Sequence, residues 1–161
     1  MMRKSDPEVL FARAGRILTL REHARAELRV KLLRPVKDCE PPIADDVDAV
    51  LERLEALGLL DDIRYARLTA ERCAVKGMSS AGILRELRAR GIGREIAEAA
   101  LPPEADDAGR LAELLQKPVF VRKLADERGR QSLCRALLRK GYSYAKIHAA
   151  LQQEEDGIDG A

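Results

Sequence analysis

Tryptophan is absent from the 161 residues, and aromatic side chains make up only 3% of them. Phe11, Tyr65, Phe120, Tyr142 and Tyr144 are too few and too scattered to form the stacking platform on which single-strand binders lay successive bases. Histidine occurs only at His23 and His148, with no H-E-x-x-H motif and no second metal ligand at helical spacing, so a helical zinc site is not expected. His148 reads as a surface residue of the last helix. Cys39, Cys73 and Cys134 are odd in number, far apart and without a C-x-x-C pair, which argues against a disulfide framework and fits reduced thiols in a cytosol. Cys73 and Cys134 fall on apolar helical faces and read as core. No apolar run approaches the roughly 18 residues of a membrane span. The opening Met1 to Pro7 turns acidic before an apolar signal segment can begin. Gly91-Ile92-Gly93 has Ile96 where a dinucleotide fingerprint needs its third glycine, and no Walker-type loop occurs. The expectation is a chain with no catalytic residue, no cofactor, no metal and no membrane segment.

What the chain does contain is leucine, alanine and charge. It is 46% hydrophobic and 35% charged, so helix propensity is high almost throughout. The net charge of +2 conceals alternating blocks. Residues 13–37 carry eight basic and two acidic side chains, a net of +6, and residues 38–62 one and nine, a net of −8. Residues 63–101 return to +4, 102–116 to −3 and 117–151 to +7, before a tail of −4. Most such charges are solvated faces. Basic patches presented at intervals also suit a long acidic or polyanionic partner.

One pattern is written three times: a leucine pair on a short basic helix, a turn, and a second amphipathic helix. Ile83, Arg85, Leu87, Gly91 and Leu101 recur 50 positions later as Leu133, Arg135, Leu137, Gly141 and Leu151. A disguised copy begins at Leu28 and Leu32 and closes with Val47 and Leu51. Repetition at this period marks stacked helical units, each too small to bury its apolar face alone. The fold expected is all-α, an elongated stack of three tandem three-helix units with about nine helices and no sheet. The units span residues 1–60, 61–103 and 104–161.

Punctuation places helices at about 6–21, 25–34, 44–57, 61–76, 79–90, 94–101, 107–116, 119–140 and 143–153, with 157–161 frayed. Asp6-Pro7 opens the first, Arg34-Pro35 stops the second, and Gly58, Gly91 and Gly141 are terminators. Asp61 caps the fourth helix, with Asp62 as first-turn partner of its dipole. Leu28, Ile83 and Leu133, with Leu32, Leu87 and Leu137, should be buried, and Tyr65 should pack at its helix start.

The basic residues fall in rows. Arg21, Arg25 and Arg29 recur every four positions, and Arg128, Arg135 and Arg139 share a second face. Arg85 with Arg135, and Arg90 with Lys140, hold equivalent repeat positions. Candidate partner-binding residues are therefore Arg25, Arg29, Arg85, Arg88, Arg90, Arg135, Arg139 and Lys140. A helix-turn-helix over residues 79–101 would place Glu95 and Glu98 in a groove beside a single Arg94, the wrong charge for duplex reading.

Glu22-His23, Ala26-Glu27-Leu28, Lys31-Leu32, the block Leu57-Gly58-Leu59-Leu60-Asp61-Asp62 with Arg64-Tyr65, Lys76-Gly77, and Arg139-Lys140-Gly141-Tyr142-Ser143-Tyr144 resemble the RecX family of recombination regulators. The resemblance covers residues 10–152. The first unit departs from it in lacking a glycine after its basic helix, and the second in carrying Met78-Ser79-Ser80-Ala81-Gly82 where a proline is common. The resemblance implies an elongated, curved monomer in the cytoplasm. Such a protein lies along the groove of the RecA filament on single-stranded DNA and restrains filament growth, ATP hydrolysis, strand exchange and co-protease activity. It would catalyse nothing itself. Weak direct DNA contact would be an accessory, and a helical DNA-binding protein acting through its basic rows without RecA is the alternative.

Overall fold

The computed structural model describes residues 6–37, 40–103 and 106–159, which excludes Cys39 and the ends of the chain. Ten α-helices account for most of them: α1 Pro7–Leu20, α2 Arg25–Leu33, α3 Ala44–Ala56, α4 Asp62–Val75, α5 Ser80–Ala89, α6 Arg94–Ala99, α7 Asp107–Leu115, α8 Pro118–Val121, α9 Glu127–Arg139 and α10 Tyr144–Asp159. There is no strand among the described residues. Among the described residues no helix is long and apolar enough to cross a membrane. Two compact units result. One comprises the described residues up to Leu68 with Leu87–Ala99, the other Thr69–Glu86 with those from Ala100 onward. The divide falls inside α4 and α5, within the middle sequence repeat.

In the first unit, Asp6 caps α1 by accepting from the Glu8 amide at 3.0 Å, and Pro7 supplies a first residue that has no N–H to satisfy. Leu10 and Ala14 then meet Leu28 and Leu32 of α2 and Val47, Val50, Leu51 and Leu54 of α3 in one apolar cluster. The missing glycine after α2 has a substitute. Arg34, extended at φ −65°, ψ 129° as a residue before proline must be, ends the helix. The Arg13 guanidinium of α1 donates to the carbonyls of Lys31 (3.0 Å), Leu32 (3.2 Å) and Arg34 (3.2 Å). A cation thus satisfies carbonyls that a glycine-capped turn would otherwise satisfy. Arg13→Ala should lower stability by about 1–2 kcal/mol in urea unfolding, whereas Arg16→Ala, on the exposed side of α1, should change it far less; equal effects would refute the capping role.

In the second unit, Leu111, Leu115, Leu133, Leu137, Tyr142 and Ile147 form the cluster. The eighth segment expected from sequence, a single helix over 119–140, is instead three elements. α8 and a 3-10 turn, Arg122–Ala125, precede an extended Asp126 (φ −140°, ψ 162°), which caps α9 through the Gly129 amide at 2.6 Å. The last helix runs on to Asp159 rather than fraying from residue 157. Cys73 and Cys134 are half-buried and in no disulfide, and Cys134 packs against the core cluster of this unit. His148 is exposed, its ring stacked on Tyr144 at 6.2 Å between centroids.

The repeat survives in detail. Leu28, Leu32, Ile83, Leu87, Leu133 and Leu137 are all 0% exposed. After α5, Ile92 donates to the Leu87 carbonyl (3.1 Å) and Gly91 to that of Arg88 (3.0 Å). After α9, Tyr142 donates to Leu137 (3.2 Å) and Gly141 to Leu138 (3.0 Å). Both glycines are left-handed, at φ +80° and +94°. Each also lies where a side chain would collide: Gly91 faces Ala26 at the start of α2, and Gly141 faces Gly82 at the start of α5. The Lys140 carbonyl accepts there from the Ser79 amide at 3.0 Å. Gly82, a weak helix former on sequence grounds, is small because a backbone turn rests on it.

A second device recurs with the first. α2 opens after Ala24, which offers no capping side chain. Its first amide, Arg25, donates instead to Asp62 at 2.7 Å. The first amide of α5, Ser80, donates likewise to Asp107 at 2.9 Å. Asp62 and Asp107 are the opening residues of α4 and α7, so the Asp that begins one sequence repeat caps the basic helix of the repeat before it. Asp62 remains the acid in the first turn of its own helix, which Asp61 caps by accepting from the Arg64 amide at 2.9 Å.

Candidate partner-binding surface

Of the eight candidate cations, several have partners within the chain. Arg29 makes a two-pronged bond to Asp48 (2.7 and 2.9 Å), which raises the arginine and lowers the aspartate from their ordinary pKa values. Arg25 pairs with Glu55 at 3.1 Å. Arg90 donates to the hydroxyl of the fully buried Tyr65 at 2.8 Å. Lys140 donates to the Lys76 carbonyl at 2.6 Å; burial, then the charges of Lys117 and Lys76, hold its pKa below the ordinary value. Arg85, although exposed, donates to the Arg139 carbonyl at 2.6 Å. The side chains of Arg88, Arg135 and Arg139 are exposed and form no ion pair or hydrogen bond among the described residues. Equivalent repeat positions therefore differ in use: Arg85 is engaged where Arg135 is open to solvent.

The chain between α1 and α2 carries an arrangement that sequence inspection missed. His23 is only 1% exposed. Its Nδ1 lies 2.8 Å from the Arg21 carbonyl and its Nε2 2.7 Å from Lys31 Nζ. A carbonyl can only accept and an ammonium only donate, so the ring is the neutral tautomer carrying its proton on Nδ1. Burial, reinforced by the nearby charges of Arg21 and Lys31, keeps its pKa below the ordinary 6.5. Lys31 also lies 3.7 Å from Glu27, which Arg21 pairs as well. Burial alone would raise Glu27, but the Arg21 hydrogen bond and neighbouring charges bring it below the usual carboxylate value. Glu22 binds Arg64 through two bonds of 2.9 and 3.2 Å, tying this connection to the first turn of α4. Contiguity of Glu22 and His23 in the sequence was the one available signal.

An open groove of about 560 Å³ is lined by α9 and α10. Cys134 and Leu151 supply apolar surface, and Arg130 and Arg135 supply charge. Its one carboxylate among the described residues, Glu127, already accepts from Gln131 at 3.2 Å and pairs with Arg130 at 3.5 Å.

These features coincide with kinship to known proteins. The family model for the second three-helix domain of RecX matches residues 61–101. The regulatory protein RecX of Herminiimonas arsenicoxydans is 32% identical over 151 residues, 93% of this chain and 95% of its own length. That of Prosthecochloris aestuarii is 35% identical over 153 residues, 94% and 97%. In fold, the crystal structure of RecX from Lactobacillus salivarius matches with a TM-score of 0.67 at 23% identity, covering 91% of this chain and 95% of that one.

Proposed function

Because the chain belongs to the RecX family of regulatory proteins, we propose that it binds the RecA nucleoprotein filament on single-stranded DNA and restrains it, as a cytoplasmic monomer without chemistry of its own. Restraint covers filament extension, ATP hydrolysis, strand exchange and co-protease activity, each exerted on the partner's machinery. Similarity along nearly the full length carries this reading. The exposed cations support it: Arg88, Arg135 and Arg139 have no described intramolecular partner, and a repetitive polymer can be gripped at several points, each raising the effective concentration of the next. The three units of residues 1–60, 61–103 and 104–161 would supply those points.

Charge reversal tests the surface better than truncation, because the arginine stem also covers apolar area. Arg88→Glu combined with Arg139→Glu should weaken inhibition of RecA ATP hydrolysis about tenfold, or about 1.4 kcal/mol of binding, with an unchanged melting temperature. The deficit should shrink in high salt, since exposed charges are screened beyond roughly 10 Å at 0.1 M. Full inhibition by the double variant at low salt would dissociate these cations from RecA binding. Failure of the unaltered chain to slow ATP hydrolysis at stoichiometric levels, with tight binding to bare DNA, would favour the alternative, a DNA-binding protein acting without RecA.

A further inference from the structure

The groove on α9 and α10 is a copy of a surface that is occupied elsewhere in the same unit. Gly77, Ser80 and Arg85 hold what packs on α5: Leu114 of α7 lies against Gly77, Asp107 at the head of α7 accepts from Ser80, and Arg85 donates to the turn after α9. Fifty positions later stand Glu127, Arg130 and Arg135, all lining the groove. The occupied surface takes a helix of defined character. It opens on an acid, Asp107, and sets Leu114, seven residues on and 2% exposed, against Gly77.

Two substitutions change what the copy can accept. Gly82, which must lack a side chain for the Lys140–Gly141 turn to rest on it, is replaced by Ser132, whose Cβ closes that approach. The Ser80 amide, which needed an acid from another helix, gives way to a helix start capped by its own Asp126. A further repeat, or a second copy of the chain docking as a repeat does, is thereby refused. In place of the Ser80 hydroxyl stands Arg130, which pairs with Glu127, and Arg135 takes the position of Arg85 with no described partner, so both anchoring positions are cationic over the apolar surface of Cys134 and Leu151. We propose that this groove docks an amphipathic helix of a partner protein, acidic in its first turn and carrying an apolar residue seven positions later. The acids meet Arg130 and Arg135, and the apolar stripe covers Cys134 and Leu151. This does not depend on RecA being that partner.

The test uses the full chain and a fluorescein-labelled synthetic amphipathic peptide opening Asp-Glu, with a leucine at its eighth position. Its controls are the same peptide with lysine for every acid, and a labelled thymidine oligonucleotide. The acidic peptide should bind saturably in anisotropy and slow alkylation of Cys134 relative to Cys73. Arg135→Glu should weaken it about tenfold while leaving the melting temperature unchanged. No saturable binding, equal binding of the lysine peptide, or indifference to Arg135→Glu would each overturn the proposal. Displacement of the acidic peptide by the oligonucleotide would make the groove a nucleic-acid surface instead. Concentration-dependent self-association abolished by Arg135→Glu would assign it to a second copy.

Discussion

Asp107→Ala should cost about 3 kcal/mol or more, the largest loss expected of any single carboxylate in this chain. Asp107 is 4% exposed at its side chain and accepts from the Ser80 amide (2.9 Å), the Ser80 hydroxyl (3.1 Å) and Arg110, whose side chain is itself only 12% exposed. Removing it leaves a buried guanidinium without its counter-charge and opens the first amide of α5. Burial by itself would raise its pKa. The Ser80 bonds and Arg110 outweigh that and hold it below the ordinary 3.8. A group depressed in the folded state stabilises above its unfolded value, and the contribution is lost as pH falls through the folded one. The gap between the parent and Asp107→Ala in urea unfolding should therefore be full at pH 7, persist to about pH 4 and narrow only below it. Glu27 and Asp48 titrate in both proteins and cancel in the difference. A gap under 1 kcal/mol at pH 7 would show that the network is incidental.

Gly141→Ala should be comparably damaging, about 3 kcal/mol, for two separable reasons. The left-handed backbone at φ +94° costs any L side chain about 1 kcal/mol. A Cβ there also meets the backbone of Gly82 and the Ser79 hydroxyl, none of which is the free end of a flexible side chain. Forcing that contact apart costs a further 1–3 kcal/mol. Gly58→Ala is the internal control, since Gly58 is equally left-handed (φ +69°) with nothing within 4 Å of a built Cβ. It should lose only the first part. Equal losses from the two variants would mean that the turn after α9 does not rest on α5.

Local punctuation was readable: Asp6-Pro7, Arg34-Pro35, Gly58, Gly91 and Gly141 place most helix ends to within a residue or two, because each acts on its own neighbours in the chain. The break at Asp126 was not. Residues 119–140 have helical propensity on both sides of it, and the 3-10 turn Arg122–Ala125 with the extended Asp126 that caps Gly129 interrupts the run. The apolar repeat identified all six central residues, whereas the reasons for Asp62, Arg13 and Gly82 lie with residues far away in sequence. The basic rows were visible as faces, yet sequence periodicity does not show that Arg29 faces Asp48 or that Arg85 reaches the Arg139 carbonyl. Charge spacing gives direction around a helix; it carries no information on which acid the next element brings.

The borrowed caps also set a timetable. The Arg25 amide waits for a residue 37 positions downstream, and the Ser80 amide for one 27 positions downstream. At ribosomal rates of about 5–20 residues per second, that is a delay of roughly 2–7 s for α2 and roughly 1–5 s for α5. During each interval a nascent basic helix has an open end, which closes when the next helix emerges. α9, whose cap Asp126 immediately precedes it, has no such wait, and α5, whose Ser79 accepts from the Gly82 amide at 3.1 Å, waits only for the partner of its first amide.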